Sequence, residues 1–244
     1  MIVEEKVDGA NCAVSFHAGQ LRLQSRGHFL NGGGRERHFA LLKSWAACHA
    51  DAFHAVLGER YIMYGEWLYA KHTVFYDALP HYFMEFDVLD QNSGTFLSTD
   101  ARRDLLMGLP IMPVPVLHDG ELNSVEELVK FIRPSLYKTE SWRDALVKAA
   151  TRSNSRLDFV EKQTEDSDLA EGLYIKLERG GRVEARFKYV RPDFVQAILD
   201  GDSHWHERPI LPNVLRDGID IFAPQLSPQL GQQLGMKGAY DETE

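Results

Sequence analysis

Short alternating runs, cut at intervals by turn signals, constrain this chain more than any other feature. Residues 20–26, QLRLQSR, alternate apolar and polar side chains, the period of a strand with one buried face. His17-Ala18-Gly19 supplies a hairpin turn back to a strand at 12–16, and Asp8-Gly9 makes a turn after a strand at 2–8. Residues 61–67 and 82–89 read as further strands, the second followed by a turn at Asn92-Ser93-Gly94. Residues 173–178 and 183–190 alternate around Gly180-Gly181 and predict another hairpin.

Helical periods fill the gaps. Phe39, Leu42, Trp45, Ala46, His49, Phe53 and Val56 recur at helical spacing and predict one helix ending near Gly58. A short helix over 99–107 takes Thr99 as its cap. Ser124 with Glu127 fits a capping box for a helix through Ile132, and residues 142–150 suggest another helix. The apolar run at 111–117, with alternate prolines, reads as an edge strand or an extended linker. Gly32-Gly33-Gly34 reads as a flexible loop, and the polar, charged residues 151–168 read as mobile. The tail from Arg191 holds a short helix and a Pro-rich stretch, with the last ten residues disordered. The whole pattern predicts an α+β fold with largely antiparallel sheets flanked by helices, and it contains no internal repeat.

Composition narrows the partners. At 244 residues the chain is long enough for a sizeable core, and no run of ~18 apolar residues calls for a membrane span. The opening MIVEEKVDGA lacks the basic start and apolar core of a signal peptide. Two cysteines, Cys12 and Cys48, without metal-ligand spacing, fit a reducing cytoplasmic setting. The net charge of −9 counts against a nucleic-acid partner without excluding one, because local patches decide. Arg102, Arg103, Arg133, Lys138, Arg143, Lys148 and Arg152 place basic residues along one middle region, readable either as such a patch or as solvated helix faces.

Four separated segments carry candidate chemistry: Glu5-Lys6-Val7-Asp8-Gly9, Gly65-Glu66-Trp67, Glu171-Gly172-Leu173-Tyr174-Ile175-Lys176 and Arg186-Phe187-Lys188. Each alone is weak, since short motifs match by chance. Together they bring several cations and at least two carboxylates onto strands that one sheet could join. A lysine nucleophile must lose its proton, and nearby cations favour that loss. Lys176 and Lys188 are the candidate neighbours of Lys6. The same cations, with a divalent metal, would neutralise a triphosphate. Glu66 and Glu171 could hold that metal or receive ribose hydroxyls. No G-x-x-x-x-G-K phosphate loop is present, which argues against a P-loop enzyme.

In this order the segments resemble the nucleotidyltransferase motifs of RNA ligases, DNA ligases and capping enzymes. Lys6-Val7-Asp8-Gly9 resembles motif I, Arg26 in Gln24-Ser25-Arg26-Gly27 motif Ia, Gly65-Glu66 motif III, Phe86-Asp87 motif IIIa, Glu171 to Lys176 motif IV and Arg186-Phe187-Lys188 motif V. Asn11, the stretch from Gly65 to His72 and the late segment from His204 to Asn213 are similar to the RNA ligase 2-like group. The resemblance implies an ATP-grasp-like ligase adenylation domain over 1–190 and a short C-terminal extension over 191–244, with no OB domain. It implies Lys6 as the AMP-linked nucleophile, with Lys176 and Lys188 on the α-phosphate. It places Glu5, Arg26, Glu66, Phe86, Glu171 and Arg186 around the nucleotide, Phe86 stacking on adenine and Glu66 on the ribose. Glu171 would serve a metal, and Asp8 and Asn11 the strand ends. The implied cofactors are ATP with Mg2+ or Mn2+, and the implied partner is RNA. His72 and the His204/His206 pair read as structural or exposed. A small DNA ligase, a GTP-using capping-type enzyme and an inactive RNA-binding relative are the competing readings.

Overall fold

The alternating runs pair into one continuous, mostly antiparallel sheet. A computed structural model of the chain describes residues 1–194 and 210–224. Its strands are β1 (Ile2–Lys6), β2 (Ala10–His17), β3 (Gln20–Ser25), β4 (His28–Phe29), β5 (Tyr61–Trp67), β6 (Phe83–Asp90), β7 (Thr95–Leu97), β8 (Met112–Pro113), β9 (Val116–Asp119), β10 (Gly172–Arg179) and β11 (Arg182–Val190). The helices are α1 (Ala40–Cys48), α2 (Ala50–Leu57), α3 (Thr99–Leu106), α4 (Val125–Val129), α5 (Trp142–Arg152) and α6 (Leu157–Lys162). The order across the sheet is β4-β3-β2-β5-β6-β7-β11-β10-β1-β9, with β8 added in parallel to β6. Consecutive in sequence, β1 and β2 do not pair. They sit in different halves of the sheet, and the link at Val7–Gly9 crosses between them.

The apolar face of β2, β5 and β6 packs Cys12, Val14, Met63, Trp67 and Phe83 against Leu42, Trp45 and Phe53 of α1 and α2 and Leu106 of α3. A smaller cluster buries Trp142, Leu146 and Ala150 of α5 with Phe75 and Leu211. Asn213 joins the tail to the body. It accepts the Tyr76 N–H at 2.9 Å and donates to the Leu68 carbonyl at 2.8 Å.

Several sequence expectations change. The single helix from Phe39 is two helices, because His49 leaves helical geometry at φ −104°, ψ 11°. Its buried ring sits beside Trp45 and Phe53, and Nε2 meets the Ile221 carbonyl at 3.3 Å. The cap of α3 is Ser98, whose Oγ accepts the Ala101 N–H at 3.4 Å. Thr99 is instead the first helical residue, and its N–H and hydroxyl donate to Glu178. Residues 151–168, expected to be mobile, contain the end of α5 and all of α6. Asp168 there accepts the Trp142 indole N–H at 2.7 Å. The basic middle region is not one surface: Arg102 is fully buried, and Lys138 lies under the Trp142 ring beside Glu165. The proline-rich run supplies two short strands, β8 and β9. No described helix is long and apolar enough to cross a membrane. His204, His206, the expected tail helix and the final ten residues lie outside the described residues.

Candidate active site

Register assembles the site. Across β1, β10 and β11 the partners run Glu4–Tyr174–Lys188, Lys6–Gly172 and Lys176–Arg186. Residues directly opposite share a face, so alternation puts Glu4, Lys6, Tyr174, Lys176, Arg186 and Lys188 on one side. The other wall comes from β2 and β5, where Asn11 lies opposite Glu66. Two glycines let the backbones close up. A Cβ on Gly172 would lie 2.0 Å from the Tyr189 carbonyl oxygen, and one on Gly9 would lie 2.8 Å from the Trp67 carbonyl oxygen.

Between the walls lies a cleft of about 970 Å³ that takes in residues from both sheet halves. Lys6 stands in it with its side chain 22% exposed, and its Nζ is 2.6 Å from Glu171. Glu66 and Lys188 line the same space. Carboxylates dominate the field around Lys6. Burial pulls the Lys6 ammonium pKa down, but Glu171, Glu66 and Asp8 outweigh it and hold it above the ordinary lysine value. The sequence predicted that Lys176 and Lys188 would lower the Lys6 pKa, but the neighbouring carboxylates raise it. Burial, and then Lys6 itself, lowers Lys188 instead. The carboxyls feel the same excess of negative charge. Burial lifts Glu66 to about 8 and Glu171 to about 7, against the pull of Lys6. One Glu171 oxygen, Oε2, is buried without a hydrogen-bond partner.

Lys176 does not reach this cleft. It is fully buried on the same face, covered by residues that line the cleft, with Nζ 3.0 Å from Glu4, 3.2 Å from Asp87 and bonded to the Phe86 carbonyl. The cause lies in β6. Asp87 faces Tyr64 and Glu85 faces Gly65, so Phe86 is an extra residue in the ladder, a bulge that turns the carboxylates apart. Asp87 accepts from Tyr174 at 2.6 Å and from Arg186 at 2.8 Å. Glu85 and Glu4 both pair with the buried Arg102 of α3.

The remaining expected residues divide. Arg26, Asn11, Phe86, Arg186 and Glu5 line the cleft with Lys6, Glu66, Glu171 and Lys188. The Arg186 guanidinium also lies 3.6 Å from the Phe96 ring centroid. Glu5 is pinned from behind, its carboxylate accepting the Ser135 hydroxyl at 2.5 Å and the Leu136 N–H at 3.2 Å. Burial raises it to about 7. Asp8 is tied to the neighbouring loop, one oxygen accepting the Thr73 and Val74 N–H groups at 2.7 Å each. Glu4, Tyr64 and Phe96 also line the cleft and were not singled out from the sequence, while Asp87 and Tyr174, quoted there within motifs IIIa and IV, were given no role. Alternation with Lys6 could have found Glu4. Phe96 had no local signal. Among the described residues no three His, Cys, Asp or Glu side chains gather as a metal-ligand set.

The fold is that of solved RNA ligase structures. It matches two variants of the Naegleria gruberi RNA ligase solved with ATP and Mn, at TM-scores of 0.52 and 0.54 and 18% and 17% identity. It also matches that ligase solved with PPi, at 0.51 and 19%. Each match covers 82% of this chain but 51–52% of the ligase, so the chain spans about half the length of those proteins. No curated protein sequence matches it. Residues 1–190 match the RNA ligase family, and the chain belongs to that family.

Proposed function

We propose that the chain is an ATP-dependent RNA ligase that joins a 3′-hydroxyl to a 5′-phosphate through an AMP-linked Lys6. The observation that carries the reading is the Lys6–Glu171 pair, 2.6 Å apart in a cleft shared with Glu66 and Lys188. Lys6 Nζ forms a bond to the α-phosphorus of ATP as the bond to the pyrophosphate oxygen breaks. Its proton goes to Glu171, which is hydrogen-bonded to it and has a carboxyl raised by burial towards neutrality. Lys188 and Arg186 meet the charge on the phosphates. Phe86 stacks on the base and Glu66 receives the ribose.

A divalent metal fits the site in a limited way. The open oxygen of Glu171 offers one ligand, and phosphates and water would complete an oxygen shell for Mg2+ or Mn2+. Such an ion supplies charge neutralisation on the phosphates when bound. Lys176 takes a different role from the one the motif suggests: it holds Asp87 and the Phe86 carbonyl. In the next step a 5′-phosphate oxygen attacks the α-phosphorus and the bond to Lys6 breaks. The 3′-hydroxyl oxygen then attacks the 5′-phosphorus and AMP leaves.

Incubation with ATP labelled on the α-phosphate and Mg2+, followed by denaturing electrophoresis, tests the first step. Wild type should retain label and Lys6→Ala should retain none. A folded wild type that takes no label, and carries no AMP beforehand, would remove this reading. Nicked or single-stranded RNA beside the equivalent DNA then tests the substrate, with sealing of RNA expected.

A further inference from the structure

The sheet face that walls the cleft continues beyond it. The register runs Asn11–Glu66, Ala13–Tyr64, Ala13–Gln24, Ser15–Arg22 and Gln24–Phe29 without a shift, so these side chains share one face. Asn11, Tyr64 and Glu66 line the cleft. Farther along the same strands, Ser15, Arg22, Gln24, Phe29 and Ile62 line a second hollow of about 160 Å³. Asn11 to Ser15 spans roughly 13 Å at ~3.3 Å per strand residue. A stacked polynucleotide advances ~3.4 Å per nucleotide, which sets the hollow roughly four nucleotides from the cleft.

The chemistry of the hollow suits a base. Phe29 is 46% exposed, an aromatic ring open to water. The Arg22 guanidinium carbon stands 5.6 Å from its ring centroid. Gln24 and Ser15 line the hollow too, the Ser15 hydroxyl donating to the Arg22 carbonyl at 3.5 Å and the Gln24 side chain bonded to Tyr64. Glu59, which also lines the hollow, is engaged by the Gly19 N–H at 3.0 Å. An aromatic ring and a guanidinium on a face leading out of a phosphate-handling cleft form a platform of the kind that single strands stack on.

We propose that this hollow holds a base of the polynucleotide strand whose end lies in the cleft, with Phe29 as the stacking platform and Arg22 as its cation. The inference rests on the ligase reading above. The test uses the full chain at fixed salt and fluorescence anisotropy with two 5′-phosphorylated single-stranded RNAs, one of twelve nucleotides and one of three. Phe29→Ala and Arg22→Ala should each weaken binding of the longer RNA, Phe29→Ala by roughly tenfold, and Phe29→Trp should restore it. Binding of the three-nucleotide RNA, too short to reach the hollow, should not change, and labelling of Lys6 by ATP should stay at the wild-type level. Equal affinity of wild type and Phe29→Ala for the longer RNA overturns the inference, as does an equal loss on the short one. A wild type that takes no label from ATP removes the ligase reading. A wild type that takes label but binds the longer RNA without regard to Phe29 removes only the stacking site.

Discussion

Single residues in this cleft are held by two constraints, close approach and buried charge. Gly172 lies under the Tyr189 carbonyl, where a methyl group would overlap the oxygen. Gly172→Ala should cost about 2–4 kcal/mol and lower the Tm by roughly 5–10 °C, read by thermal denaturation. The burial of the cleft carboxyls has a pH signature. Glu66, Glu171 and Glu5 are raised from 4.5 to about 8, 7 and 7. Over that interval the folded state binds more protons than the unfolded one, so stability is present at low pH and is lost as pH rises through the folded values. His81, lowered by burial from 6.5 to about 4, acts in the opposite sense but only below its unfolded value. Lys138, lowered by burial from 10.5 to about 8, also opposes the carboxyls, but only towards the upper end, so between pH 7 and 8 three carboxyls against one lysine set the slope. Denaturant midpoints should fall over this interval in wild type, and Glu66→Gln should flatten the fall.

Elements are joined here by buried charge as much as by apolar packing. Arg102 fastens α3 to β1 and β6 through Glu4 and Glu85, all three essentially unexposed. Arg102→Met would leave the buried Glu85 without its ion pair and Glu4 with Lys176 alone, and should cost about 3–5 kcal/mol in chemical denaturation. The exposed Arg156–Asp158 pair gives the contrast: Arg156→Ala should cost at most ~1 kcal/mol. The sequence showed most of these elements. Strands at 20–26, 61–67 and 183–190 carry a period of two, and α5 and the strand pair around Gly180-Gly181 carry their own turn and helix signals. The break at His49 was hidden in the sequence, and the partner its buried ring meets there is a carbonyl at Ile221, far along the chain. The candidate site was legible as a set of residues and not as a field. Alternation put Lys176 on the face of Lys188. Its depth depends on Glu4 and Asp87, which two other strands supply, and on a bulge at Phe86 that no local pattern announces. Lys6 was expected among cations because Lys176 and Lys188 stand out in the sequence. Folding brings Glu171 and Glu66 closer, and they decide the sign.

At the scale of the molecule, the described tail is part of the core. Leu211 and Ile221 are buried, and Asn213 ties the loop at Leu68 to Tyr76. Removing residues 191–244 should strip these contacts, and the shortened chain should lose cooperative unfolding in calorimetry even though it retains all the residues proposed to handle the nucleotide. The strand order has a further consequence. Lys6 precedes its neighbours across the sheet, Gly172 and the β10–β11 hairpin, by almost the whole of the family region. A ribosome must finish almost all of that region before Lys6 has Glu171 beside it. The order of synthesis thus withholds the cleft from a nascent chain, and Lys6 gains its surroundings only when the scaffold is complete.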